Sequence, residues 1–186
     1  MKRPEYPWYM VVEGDSLEQG DILRDCPVFI APADLDVDSL PSKDSANRTH
    51  EARFDFRPFN LVVMSQTCDL VKGREKVQDI LLCPLYGQSD FEEGELATTS
   101  GWENARKGRY PAYHVLNGCE LSVHRSSPVI VSFRQVFSLP LGFLRKLAIR
   151  QGERVRLLPP YREHLSQAFA RFFMRVGLPV DIPAFK

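Results

Sequence analysis

The chain has 186 residues, 44% of them hydrophobic and 26% charged. That balance is globular, and it excludes global disorder, collagen and a coiled coil. No apolar run reaches about 18 residues, so no membrane-spanning helix is expected. Lys2 and Arg3 open the chain, but Pro4, Glu5 and Pro7 interrupt any signal-peptide core. The reading is therefore one cytoplasmic domain over residues 1–186, with four reduced cysteines. Net charge is zero, but it is unevenly spread. Residues 1–93 hold 10 basic and 18 acidic residues, a charge of −8; residues 94–186 hold 14 and 6, a charge of +8. The basic half can offer a face to an anionic partner, or the halves can neutralise each other within one fold.

Short strands are expected first, at Trp8 to Glu13, Ile22-Leu23 and Pro27 to Ala31, with a turn at Gln19-Gly20-Asp21. Residues 32–52 are polar and read as a long exposed loop. Asp34, Asp36 and Asp38 alternate as in a calcium loop, but the sixth and twelfth places hold Ser39 and Ser45 rather than Gly and Glu. No metal is expected there. Arg53 to Arg57 alternates polar and apolar residues, as a half-buried strand does, and Leu61 to Met64 is continuous and apolar, as a central strand is. A polar turn, Ser65-Gln66-Thr67-Cys68-Asp69, follows, and Val77 to Leu85 is the next strand.

Ser89 to Glu92 and Ser100 to Glu103 both fit a capping box, so two short helices are expected. Ala112 to Val123 reads as a hairpin with a type I′ turn at Asn117-Gly118, placing Leu116 opposite Cys119 and His114 opposite Leu121. Pro128 to Leu139 is the longest strand expected, and Pro140 to Ile149 is a helix ending before Gly152. Arg154 to Leu158 is a short strand. The last helix, about residues 160–176, carries Tyr161, Leu165, Ala168, Phe169, Phe172, Phe173 and Val176 at helical spacing. That apolar face requires docking. Gly177 and Pro179 would end the helix.

Candidate chemistry is sparse. Cys68 follows a buried strand, but Asp69 beside it opposes thiolate formation, and a histidine would have to come from elsewhere. His114, Cys119 and His124 fall on different faces of the expected hairpin, and no Cys-x-x-Cys pair exists, so neither a metal nor a cofactor is expected. His164, Gln167, Arg171 and Arg175 form a polar stripe on the last helix, suited either to phosphates or to solvent.

The order Gly20-Asp21-Ile22, Arg57-Pro58, an apolar strand ending at Ser65, then Leu82-Cys83-Pro84-Leu85 resembles the MazF/PemK-like toxin barrel. The resemblance covers about residues 20–87. It implies an SH3-like barrel, a homodimer, and metal-independent cleavage of single-stranded RNA. By position it makes Arg57 the phosphate-contacting or proton-transferring arginine, and it puts Tyr86 where the family has Thr. The strings Ser65 to Leu70 and Arg175 to Pro179 are also similar to a group of bacterial proteins, a likeness that supplies no activity.

The fold expected is α+β: a mainly antiparallel, partly closed SH3-like barrel with peripheral helices and a docked C-terminal helix. The leading functional reading is a non-enzymatic bacterial binding module for a protein or for RNA. Its binding residues would be Asp69, Tyr86, His164, Arg171 and Arg175, with Arg57. The rivals are a toxin-type endoribonuclease using Arg57 with Ser65 or Thr67, and a cysteine-dependent enzyme centred on Cys68.

Overall fold

The computed structural model describes residues 6–35, 38 and 55–174. Most of the polar stretch 32–52, with Asp36, Ser39 and Ser45 of the acidic alternation, lies outside them, as do Arg175, Val176, Gly177 and Pro179.

Among the described residues, eight strands and three α-helices follow one another: β1 (Tyr9–Val12), β2 (Ile22–Ile30), β3 (Asp55–Val63), β4 (Asp79–Tyr86), α1 (Thr99–Arg106), β5 (Tyr113–Leu116), β6 (Val129–Ser132), β7 (Phe137–Pro140), α2 (Leu141–Gln151), β8 (Arg154–Leu157) and α3 (Tyr161–Phe173). The fold is α+β and every strand pair is antiparallel.

The larger sheet runs β2-β3-β4-β6-β5. One edge of β4 is shared. Leu85 and Tyr86 face Val131 and Ile130 of β6, while Asp79 to Leu82 face Pro140 to Phe137 of β7. The expected long strand from Pro128 to Leu139 is thus broken in two, because its halves serve different stretches of one neighbour. β1 and β8 form a separate ribbon, joined to the larger sheet at Asp21 and Arg156. There the Leu157 N–H donates to the Gly20 carbonyl and the Gly20 N–H to the Val63 carbonyl, each at 2.9 Å. Gly20 has φ +89°, and a Cβ on it would stand 3.1 Å from Leu157, so glycine is required at this junction. The sheets are not closed into a barrel. That differs from the expected partial closure, because β2 and β5 remain the two ends of the larger sheet.

The apolar run in β3 is buried on both faces. Leu61 and Val63 enter one core with Leu23, Ile80, Leu82 and Leu144 of α2. Val62 and Met64 enter a second core with Cys83, Leu116, Leu157 and Leu165 of α3. Full burial of each such side chain is worth roughly 1.5–3 kcal/mol, which is why both helices dock. In β2 the two predicted short strands are one, interrupted by a bulge between Leu23 and Cys26, where Asp25 has φ 45°. On α3, Phe169 and Phe172 pack around Phe133, at 5.5 and 6.1 Å between ring centroids. Phe173, expected on the apolar face, is 55% exposed.

Three local expectations are corrected. Asn117-Gly118 is not a two-residue turn. β5 pairs with β6, Leu116 opposite Val129 and His114 opposite Val131, and Cys119 bridges to Ser126 across a wide loop. Gly118 is needed for close approach, since a Cβ there would meet the Ser126 carbonyl at 2.8 Å. The first capping-box segment forms only a 3₁₀ turn, Gln88–Asp90, in which Asp90 accepts from the Gly87 N–H at 2.7 Å. In the second, the cap of α1 is Thr98 rather than Ser100; its hydroxyl oxygen accepts from the Gly101 N–H at 3.0 Å.

Candidate functional site

α1 and α3 flank β5, and the space between them is a groove. One cavity of about 560 Å³ is lined by Trp8, Thr99, Trp102, Glu103, Arg106, His114, Val115, Asn117, Pro128, Tyr161 and His164. An adjoining cavity of about 530 Å³ shares Arg106, His114, Val115 and His164 and adds Lys107, Tyr110, Tyr113, Gln167 and Arg171, among others.

Local folding sets each wall. α1 is held by a third small core of Leu96, Ala105 and Ile130, against which Trp102 packs. The Trp102 indole N–H donates to the Leu96 carbonyl at 2.6 Å, fixing the ring at the cavity edge. Gly101 lets the helix touch the chain before it; a Cβ there would fall 1.8 Å from the Glu95 carbonyl oxygen. On the other side, burial of Leu165 leaves His164, Gln167 and Arg171 on the outward stripe of α3. Trp8, just before β1, stacks on Tyr161 with ring centroids 3.6 Å apart.

The groove's charged residues are Glu103, Arg106, Lys107 and Arg171, a net of +2. Glu103 accepts two hydrogen bonds from Arg106 at 2.7 Å and lies 3.1 Å from Lys107. Those partners, Arg106 first, hold its carboxyl down at about 2. Arg171 has no ion-pair partner among the described residues. His114 is half-buried, and desolvation, with a smaller contribution from His164, lowers its pKa to about 4. The result is a positively charged channel with tryptophan and tyrosine rings along it.

The residues singled out in the sequence are spread over several places. His164 and Arg171 lie in the groove. Arg57 is exposed on β3, across from Val28. It stands six residues before the strand's end, about 20 Å along an extended chain. The fold therefore does not bring it to Ser65, Thr67 or Cys68. The Ser65 hydroxyl oxygen accepts from the Leu81 N–H at 2.9 Å, and that of Thr67 from the Gln19 N–H at 3.2 Å. Both fix the junction after β3. Cys68 is exposed beside a recess lined by Gln19, Gln66, Thr67, Arg162, Glu163, Ser166 and Gln167, with no histidine among them. Its thiol lies 3.6 Å from Asp69, which also pairs with Lys76 at 3.3 Å. Tyr86 donates to the Gln135 side chain and meets Phe91 edge-on at 5.8 Å, outside the groove. The other three cysteines are buried, and burial pushes the thiols of Cys26 and Cys83 up to about 11 and 12.

Sequence reasoning missed Trp8, Trp102, Arg106 and Tyr161 as neighbours. A signal existed, since Trp8 and Trp102 are the chain's only two tryptophans. Their convergence depends on the docking of α1 and α3, which no local pattern reveals. Compared with known proteins, the chain matches no family model, no curated protein and no solved structure.

Proposed function

We propose that the chain is a binding module for single-stranded RNA, held in the groove between α1 and α3. One observation carries this reading: Trp8, Trp102, Tyr110, Tyr113 and Tyr161 line the same groove as Arg106, Lys107 and Arg171. Bases stack on aromatic faces whatever their identity, and cations follow the phosphates, so this pairing suits an unpaired strand. A duplex would hide the base faces the aromatic rings need. Arg57 does not line this groove. The ribbon of β1 and β8, bridged to the larger sheet, supports reading the strands as an open relative of an SH3-like curl.

The test is a titration of a short, unstructured RNA at about 50 and about 200 mM salt. Neutralising up to three phosphates gives a slope near −2 for a single strand, so affinity should fall roughly 15-fold between those conditions. Arg171→Ala should flatten the slope. Absence of binding, or binding that ignores both salt and Arg171, overturns the proposal and leaves a protein partner.

A further inference from the structure

The two halves of the groove differ in chemistry. In the first cavity, Trp8, Trp102 and Tyr161 supply flat apolar walls, and its charges, Glu103 and Arg106, cancel by pairing. In the second, Lys107 and Arg171 join Arg106; Glu103 pairs with both Arg106 and Lys107, so the excess positive charge centres on Arg171. His114 and His164 lie where the two meet. A ligand filling both must be flat and apolar at one end and anionic at the other. A nucleotide has that form.

We propose that the groove's recognition unit is a single purine nucleotide, its base in the Trp8–Trp102–Tyr161 cavity and its phosphate against Arg171 in the adjoining cavity, which His164 also lines. This rests on the RNA-binding reading and deepens it: one position of the strand is selected for a purine, and a free mononucleotide occupies the same place. The preference comes from area. A two-ring base covers more of the aromatic walls than a one-ring base and so gains more from stacking. The phosphate adds to it, because Arg171 carries no competing carboxylate among the described residues.

Both tryptophans of the chain line the base cavity, so intrinsic tryptophan fluorescence reports its occupancy directly. The experiment titrates the full chain with AMP, GMP, CMP, UMP, adenosine and ribose 5-phosphate. Equilibrium dialysis runs in parallel, and each compound competes against labelled RNA. AMP and GMP should quench saturably and bind about tenfold more tightly than CMP and UMP, and ribose 5-phosphate should bind without quenching or not at all. Arg171→Ala, an exposed position that the fold tolerates, should weaken AMP several-fold and adenosine far less. Purines and pyrimidines binding alike would overturn the inference, as would AMP failing to displace RNA. RNA binding with no mononucleotide binding refutes the single-nucleotide unit alone. Loss of both refutes the RNA-binding reading as well.

Discussion

Trp8 and Tyr161 stack face to face, their ring planes inclined by only 8°. The pair joins the start of the chain to the first turn of α3, and it forms one wall of the groove. Offset aromatic pairs contribute about 0.5–1.5 kcal/mol beyond their area. A double-mutant cycle of Trp8→Leu and Tyr161→Leu, read by urea unfolding, should return a coupling of about 1 kcal/mol. Additive effects would show that the stacking contributes nothing of its own.

Asp21 ties the β1–β8 ribbon to the larger sheet. It is 0% exposed and accepts from Arg154, itself 1% exposed, at 3.1 and 3.2 Å, and from Arg156. Glu18 pairs with Arg156 on the outer side. Asp21→Asn keeps the shape but strands a buried arginine, so it should cost about 3–5 kcal/mol. Because the pair is buried, added salt should change the loss little. A loss below about 1 kcal/mol would mean that water reaches Arg154.

His114 sets a pH dependence. Burial lowers its pKa in the folded chain to about 4, against 6.5 for the ordinary side chain. Between those values the unfolded chain takes up a proton that the folded chain refuses. Stability is therefore full above about pH 6.5 and declines as pH falls toward about 4. The ring is only partly buried, so the loss by pH 5 should be on the order of 1 kcal/mol. Urea midpoints at pH 7 and pH 5 should differ in the wild type and differ less in His114→Gln. An unchanged difference in the variant would move the effect elsewhere, His124 being the next candidate since burial also lowers its pKa.

Gly101 decides whether α1 can sit where it does. Any side chain there collides with the Glu95 carbonyl, which is backbone and cannot step aside. Gly101→Ala should therefore displace α1 and weaken RNA binding at least several-fold, while the strands keep their circular-dichroism signature. Wild-type affinity in this variant would show that the α1 wall is not part of the site.

Much of the scaffold was legible in the sequence. The unbroken apolar run at Leu61 to Met64 marked a strand buried on both sides, and Leu165, Phe169 and Phe172 marked the docking face of α3. What misled was local punctuation. Asn117-Gly118 signals a tight turn, yet Gly118 is there to let Ser126 approach, so the end of β5, Leu116, finds its partner thirteen residues further on, at Val129. The run from Pro128 to Leu139 gave no sign that β4 would divide it. Half of the groove was visible as the His164 and Arg171 stripe. The other half was hidden, because Trp8, Trp102 and His114 meet only through long-range packing.

Photochemical cross-linking of a short single-stranded RNA, with the adducts mapped by mass spectrometry, tests the central claim most directly. The groove account predicts adducts at Trp8, Trp102 and Tyr161, suppressed by Arg171→Glu. Adducts at the exposed rings of Phe29 and Phe56, which pair across β2 and β3, with the groove unlabelled, would contradict it.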